Sequence, residues 1–251
     1  MDLRAGKKIY FVSDSHLGVP GYERSLEREK LLVKWLETVK ADAEEIFLLG
    51  DIFDFWFEYS TVVPKGFARL SGKLAEITDS GIPVHFFKGN HDLWTFGYLE
   101  KELGLKVHNL PVERVFNGKR FFIGHGDGLG PGDTGYKLMK RVFTNKINQK
   151  LFSFLHPGLG LCIALYFSKK SRIAKGTSDE IFRGEEKERL ITFCKTKLLD
   201  SHFHYFVFGH RHLPLDIKLT TDSRYINTGD WVSQFSFAEF NGEDLILKYF
   251  R

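Results

Sequence analysis

Sulfur chemistry has little to work with in this chain. Cys162 and Cys194 are the only cysteines among 251 residues, and neither stands in a Cys-x-x-Cys or Cys/His spacing. That scarcity excludes a disulfide framework and a thiolate metal site, and it predicts two buried thiols. Long hydrophobic runs are missing as well. No uninterrupted apolar stretch is a credible membrane span, and Met1 to Lys8 carries charge without the apolar segment of a secretory signal, so a cytoplasmic compartment is expected. There is no internal repeat and no low-complexity tract. Negative charge is absent from one place only. From Thr134 to Ser178 there is no Asp or Glu, while Lys137, Lys140, Arg141, Lys146, Lys150, Lys169, Lys170, Arg172 and Lys175 supply nine positive charges. The formal net charge of +4 belongs to that segment, because the remainder holds 27 basic residues against 32 acidic ones.

The length suits one α/β domain over residues 1–251 with an insertion at about 133–175. Lys8 to Ser13, Ile46 to Leu49 and Pro83 to Phe87 read as buried strands. Arg24 to Val39 and Gly66 to Ser80 have helical spacing between them, an order that predicts a parallel sheet. After a short helix at Phe96 to Leu103, Val112–Phe116 and Arg120–Ile123 form a hairpin around Asn117-Gly118. Asp179 to Leu199 is expected as a helix and Tyr205 to Phe208 as a strand. Short antiparallel strands then follow, with turns at Thr221-Asp222-Ser223 and Asn241-Gly242. The expected architecture is two packed mixed sheets flanked by helices.

Five stations follow expected strands and offer metal-ligand side chains: Asp14-Ser15-His16, Gly50-Asp51-Ile52-Phe53-Asp54, Gly89-Asn90-His91-Asp92, Gly124-His125-Gly126-Asp127 and Gly209-His210-Arg211-His212. In an extended chain residues i and i+2 point to one side, so Asp14 with His16, and His210 with His212, are expected to converge. Any one station alone would be an ordinary polar strand end. Five in order, each at the carboxyl end of a strand, point to one cation-binding cavity. His85, His108, His156, His202 and His204 lack such a setting and read as plain polar residues.

The ordered set resembles the calcineurin-like metallophosphoesterase family, with its D-x-H, G-D-x-x-D, G-N-H-D, G-H and G-H-x-H pattern, from Asp14 to His212. The resemblance implies a four-layer αββα sandwich and a hydrolase that uses two divalent metal ions to activate water and neutralise phosphoryl charge. It assigns Asp14, His16, Asp51 and His212 to one metal, and Asp51, Asn90, His125 and His210 to the other. Oxygen and imidazole donors without sulfur suit Mn²⁺ first, then Fe²⁺ or Zn²⁺. His91 takes the place of the family's proton donor, Asp54 that of the carboxylate which orients and charges it, and Asp92 that of a loop support.

Phe53-Asp54-Phe55-Trp56, Gly126-Asp127, the stretch Gly132 to Tyr136 and Gly229-Asp230-Trp231 are together similar to the branch of that family that cleaves UDP-2,3-diacylglucosamine. This implies a nucleotide-sugar lipid substrate contacted by Asn90, His91, Asp127 and His210. It also implies a role in lipid A biosynthesis at the cytoplasmic face of the inner membrane. His91 and Asp54 depart from the Arg and Glu that many members of the branch carry there. The insertion extends the same reading. Leu151, Phe152, Phe154, Leu155, Leu159, Leu161, Ile163, Leu165, Tyr166 and Phe167 form an apolar block between Lys150 and Lys169-Lys170. Pro157, Gly158 and Gly160 predict two short helices forming a lid. An apolar block with a basic rim fits acyl chains and an anionic membrane surface. A nucleic-acid groove would interleave aromatics with the charges, so no nucleic acid is expected. Another phosphodiesterase or phosphatase of the same fold, and a non-catalytic scaffold, are the alternatives.

Overall fold

The computed structural model describes residues 1–175 and 181–251, with the backbone alone for 171–175. Its central strands bury both faces, which is why they read as unbroken apolar runs rather than alternating ones. In β1 (Lys8–Val12) Ile9 and Phe11 enter one apolar cluster and Tyr10 and Val12 another, and β2 (Ala43–Leu48) parts Phe47 from Ile46 and Leu48 in the same way. With β3 (Val84–Phe87), β4 (Lys106–His108), β10 (Ser236–Phe240) and β11 (Leu245–Tyr249) they build a six-stranded sheet in the order β11-β10-β1-β2-β3-β4. The pairs from β1 to β4 are parallel, as the alternation of strands and helices predicts.

The second sheet has five strands: β5 (Val112–Phe116), β6 (Lys119–Ile123), β7 (Tyr205–Phe208), β8 (Pro214–Lys218) and β9 (Arg224–Thr228), in the order β5-β6-β7-β9-β8. The two sheets meet over a largely aromatic interior. Phe11 lies 5.0 Å from Phe47 and 6.2 Å from Phe121, and Phe121 packs edge-on to Phe240 at 5.0 Å. Outside the first sheet, α1 (Tyr22–Lys40), α2 (Ala68–Asp79) and α3 (Tyr98–Leu103) contribute Trp35, Leu36, Leu70, Leu74 and Leu99 to its cluster. Outside the second, α7 (Arg189–Asp200) contributes Leu190, Ile191 and Cys194. This is the expected four-layer αββα sandwich.

Several local expectations change. Segment 133–175 carries three helices: α4 (Thr134–Thr144), α5 (Lys146–Ser153) and α6 (Pro157–Lys175). The apolar block from Leu151 to Phe167 is divided between α5 and α6 as expected, but α6 is not short and takes in Gly158 and Gly160. Pro157 opens α6, because a first-turn position has no intrahelical bond for its missing N–H to lose. Gly160 is a close-approach residue: a Cβ there would collide with the Tyr59 hydroxyl and lie 3.1 Å from the Phe152 ring. The helix expected from Asp179 begins at Arg189. Gly184 at φ +94° and Glu188 in an extended conformation interrupt it, leaving a single 3₁₀ turn at Glu185–Lys187. Residues 176–180 and the side chains of Arg172 and Lys175 lie outside the described residues. Cys194 is buried as expected, but Cys162 is exposed on α6. Strand β4 was not anticipated, since three residues carry too little pattern to read.

Helix α2 lacks a cap from its own sequence: Phe67 occupies the N-cap at φ +56° with no side-chain bond. Glu29, on α1, supplies it. Its Oε1 accepts from the N–H groups of Arg69 at 2.9 Å and Leu70 at 3.0 Å, placing negative charge at the positive end of the helix. Glu29→Ala should cost about 1 kcal/mol, the usual worth of a cap, and lower Tm by about 2–4 °C for a chain this long. Thermal unfolding followed by circular dichroism checks this, and an unchanged Tm would remove Glu29 from the account of α2.

Candidate metal centre

Each station follows the end of a strand, and both sheets contribute. Asp14 and His16 leave β1, Asp51 and Asp54 leave β2, Asn90 and His91 leave β3, His125 leaves β6, and His210 and His212 leave β7. The expected convergence of i and i+2 occurs, but not on extended backbone. Asp14 (φ 53°), His16 (φ 41°), Asp51 (φ 52°), His210 (φ 70°) and His212 (φ 51°) all sit in the left-handed region. Non-glycine residues adopt it at a cost of order 1–3 kcal/mol each, and such residues persist only where the surroundings dictate them. Two glycines make room for the crowding: a Cβ on Gly89 would strike Asp51, and one on Gly209 would lie 2.6 Å from Asp14 Oδ2.

The backbone is held by two charged side chains. Arg28, buried on α1, donates from Nε to the Ser15 carbonyl at 3.1 Å and from Nη2 to the His16 carbonyl at 2.8 Å, and it also reaches the Val19 carbonyl. Asp92 accepts from the N–H groups of Asp51 (3.2 Å), Ile52 (2.8 Å), Phe53 (3.3 Å) and Gly89 (2.7 Å), tying two stations together. Burial pushes the Asp92 carboxyl up to about 7 and the Asp51 charge adds to this, while the donors from Gly89 and Phe53 oppose it.

Both central carboxylates are oriented by backbone. Asp14 Oδ2 accepts from His210 N–H at 2.8 Å, and Asp51 Oδ1 from His91 N–H at 2.8 Å. Their other oxygens face the cavity. Asp14 Oδ1 lies 3.3 Å from His212 Nε2 and 3.7 Å from His16 Nε2. Asp51 Oδ2 lies 3.4 Å from His125 Nε2 and 3.8 Å from His16 Nε2. Asn90 Oδ1 comes within 3.3 Å of His125 Nε2. Asp14, His16 and His212 gather their ligand atoms within 4.8 Å of one another, as do Asp51, His125 and His210, and His16, Asp51 and His91. Asp51 belongs to the second and third of these groups, and His16 to the first and third. His85, His108, His156, His202 and His204 belong to no such group among the described residues.

This donor set fits a pair of divalent cations. Asp14 Oδ1 is a buried oxygen without a hydrogen-bond partner, aimed at two imidazole nitrogens. His125 donates its Nδ1 proton to the Leu49 carbonyl at 2.7 Å, which leaves the Nε2 lone pair facing the cavity. In the protein alone, protons take the cations' place. Burial by itself would lower His16 and His125, but the facing carboxylates overcome it and raise both to about 10. Burial would likewise raise Asp14 and Asp51, yet the histidines hold both well below the usual carboxylate range. His210 is lowered to about 4, by burial and then by the His125 charge.

The remaining expected site residues are arranged differently from one another. His91 donates its Nδ1 proton to the Asp54 backbone carbonyl at 2.9 Å, while the Asp54 carboxylate lies 3.5 Å from His91 and 3.3 Å from His16. Asp54 therefore orients His91 mainly through its backbone and shares its charge between two rings. Asp127 lies beside His125, but its Oδ2 accepts from both Tyr136 and Lys140 of α4. Ser168 of α6 donates to Asp54 Oδ2 at 2.9 Å. Arg28 and Ser168 were not anticipated, and Tyr136 and Lys140 were noted only as the end of the Gly132 to Tyr136 stretch and as one of the nine cations. Arg28 left a trace as a cation within the stretch that α1 buries.

A model of the family described as calcineurin-like phosphoesterase matches residues 7–214. A UDP-2,3-diacylglucosamine hydrolase of Porphyromonas gingivalis is 38% identical over 254 residues, which cover 96% of this chain and 97% of that one. The protein of the same description in Histophilus somni is 26% identical over 239 residues, 93% of this chain and 96% of its own. The solved structure of a dimetal phosphatase from Danio rerio aligns with a TM-score of 0.48 at 15% identity, covering 97% of this chain and 95% of that one.

The titration of the two central histidines gives a test. Because His16 and His125 are raised to about 10 from an ordinary 6.5, their stabilisation is complete below pH 6.5 and is lost as pH rises through 10. Chelator-treated protein should therefore lose Tm across that window. Protein reloaded with a divalent cation should lose less, since the cation needs those rings unprotonated. Equal slopes for the two forms would contradict the assignment of His16 and His125 to a metal.

Proposed function

This chain belongs to the calcineurin-like phosphoesterase family and is a metal-dependent hydrolase, and on that premise we propose that it cleaves the pyrophosphate of UDP-2,3-diacylglucosamine. The products are UMP and 2,3-diacylglucosamine 1-phosphate, formed by attack at the phosphorus nearer uridine, and the reaction serves lipid A biosynthesis. The observation that carries this reading is the 38% identity, over nearly the whole of both chains, to a relative described as UDP-2,3-diacylglucosamine hydrolase. The gathering of Asp14, His16, Asp51, His125, His210 and His212 supports it.

Asp14, His16, Asp51 and His212 would hold one cation, and Asp51, Asn90, His125 and His210 the other, with Mn²⁺ the favoured ion for such donors. When bound, the pair supplies an activated water and positive charge for the phosphoryl oxygens. The protein contributes the rest. Asp51 and Asp14 are fixed by backbone N–H groups, so their inward oxygens need no reorientation during the reaction. His91 has given Nδ1–H to the Asp54 carbonyl, so Nε2 can donate to the leaving oxygen only when the ring is charged. Burial, followed by the His16 charge, holds His91 below its ordinary value, while Asp51 and Asp54 push the other way. An incoming diphosphate adds to that push.

The insertion at 133–175 acts as the lid of a single domain over 1–251. Leu138 (63% exposed), Ile147 (70%), Leu151 (61%), Phe154 (74%) and Phe167 (60%) stand out from helices rich in Lys and Arg. No helix among the described residues is long and apolar enough to cross a membrane. An exposed apolar surface with a basic rim suits acyl chains at the anionic cytoplasmic face of the inner membrane, each nearby cation adding about 1 kcal/mol. The clustering of apolar groups favours lipid over nucleic acid.

The test loads the protein with Mn²⁺ and measures kcat/KM on UDP-2,3-diacylglucosamine and on bis(p-nitrophenyl) phosphate. UMP release by the wild type is expected. Leu151→Glu combined with Phe154→Glu should lower the ratio of the two kcat/KM values about tenfold, the worth of roughly two methylenes withdrawn from an apolar surface. Absence of UMP release would sink the proposed reaction. An unchanged ratio would instead remove the insertion from substrate recognition.

A further inference from the structure

A cavity of about 460 Å³ opens beside His125, bounded by the chain from 108 to 111, the turn from 126 to 129 and α4. Its size lies within the range of small-molecule sites. Four cationic side chains line it, Lys88, Lys137, Lys140 and Arg141, against the single carboxylate of Asp127. Lys140 is paired with Asp127. The ammonium groups of Lys88 and Lys137 donate only to the carbonyls of Thr95 and Gly130, and the Arg141 side chain has no hydrogen-bond or ion-pair partner among the described residues. The carboxylates of Glu100, Glu58 and Asp92 act on Lys88, which leaves Lys137 and Arg141 as two positive charges at the cavity without a carboxylate to balance them, and an anion would relieve the imbalance. The lining also includes the apolar residues Phe87, Leu110, Pro111 and Leu129.

His108 adds a directional element. His85 Nδ1 lies 2.9 Å from His108 Nε2, so one of the two rings donates to the other, while Glu45 Oε2 stands 3.3 Å from His85 Nε2 without closing a hydrogen bond. Burial, followed by His85, lowers His108 to about 4, so the ring is neutral near pH 7. Its Nδ1 remains as a hydrogen-bonding atom. Asn109, next in the lining, offers a carboxamide with both a donor and an acceptor.

We propose that this cavity binds the uridine monophosphate half of the substrate, with Lys137 and Arg141 taking the phosphate charge and His108 and Asn109 reading N–H, O–H and carbonyl groups of the nucleoside. The assignment rests on the proposed reaction and gives the substrate a direction. The nucleotide lies on the His125 side. The lipid half lies toward the aromatic cluster that follows Asp54 and His91 in the chain, where Phe152 packs 4.7 Å from Trp94 and 4.8 Å from Phe57.

The experiment measures Kd by calorimetry for UMP, inorganic phosphate and 2,3-diacylglucosamine 1-phosphate on the Mn²⁺-loaded full chain, after circular dichroism confirms folding. Lys137→Ala with Arg141→Ala should weaken UMP about tenfold or more, the usual effect of losing two charge-assisted contacts, and the lipid product less than about twofold. His108→Phe, which keeps a ring but removes its nitrogens, should weaken UMP severalfold and leave phosphate within error. Equal weakening of both products, or of the lipid product alone, would overturn the proposal. So would a wild type that does not bind UMP. Equal effects of His108→Phe on UMP and phosphate would reduce the cavity to an anion site and also overturn it. UMP binding with the expected variant pattern, but without hydrolysis of UDP-2,3-diacylglucosamine, would leave the cavity assignment standing and remove the proposed reaction.

Discussion

The cavity-facing oxygen of Asp51 lies between two imidazoles, from His125 on one side and His16 on the other, and the rest of the molecule is arranged around keeping it there. A buried carboxylate far from water is costly unless positive charge compensates it. Here the compensation comes from both sheets, because His16 follows β1 and His125 follows β6. The two sheets must therefore meet in one register for the site to exist. Their aromatic interface, with Phe11 against Phe47 and Phe121, fixes the distance at which those strands end. Packing of that kind resists small shifts, which is what ligands held to tenths of an ångström require.

The same constraint explains the backbone strain. Five residues assigned to the metals adopt positive φ without being glycine, and local sequence alone would not hold them there. Arg28 and Asp92 act as clamps, one gathering carbonyls and the other N–H groups, and neither need touch a substrate to matter. Their hydrogen bonds are charge-assisted, the stronger class. The insertion is tied to the same centre through Ser168 on Asp54 and through Tyr136 and Lys140 on Asp127. Movement of α4 or α6 would thus be felt at residues adjoining the metal positions, while their exposed apolar faces remain available to lipid.

Much of this was legible in the chain itself. The five stations that hold Asp14, His16, Asp51, Asn90, His91, His125, His210 and His212 could be picked out because cation chemistry restricts residue type, and the strands before them because burial on both faces leaves unbroken apolar runs; the role of each residue came only from the family resemblance. The αββα layering followed from that order. Backbone conformation was not legible, since an Asp or His in the left-handed region looks like any other Asp or His. Nor was the length of α6, which starts at Pro157 and runs through Gly158 and Gly160. Asp127 was read as a substrate contact, and its engagement with Tyr136 and Lys140 depends on a contact across the fold that no local pattern encodes. The charge of α4 was plain in the sequence, and its focus on one cavity beside His125 required the fold.

The central claim is that one carboxylate, Asp51, is shared by two cations. Electron paramagnetic resonance of the protein loaded with two equivalents of Mn²⁺ tests it directly, because ions bridged by a common ligand couple magnetically and isolated ions do not. The account predicts an exchange-coupled spectrum for the wild type and its loss in Asp51→Ala, together with a fall in bound metal. A wild-type spectrum of two independent ions, or a coupled spectrum that survives Asp51→Ala, would contradict it.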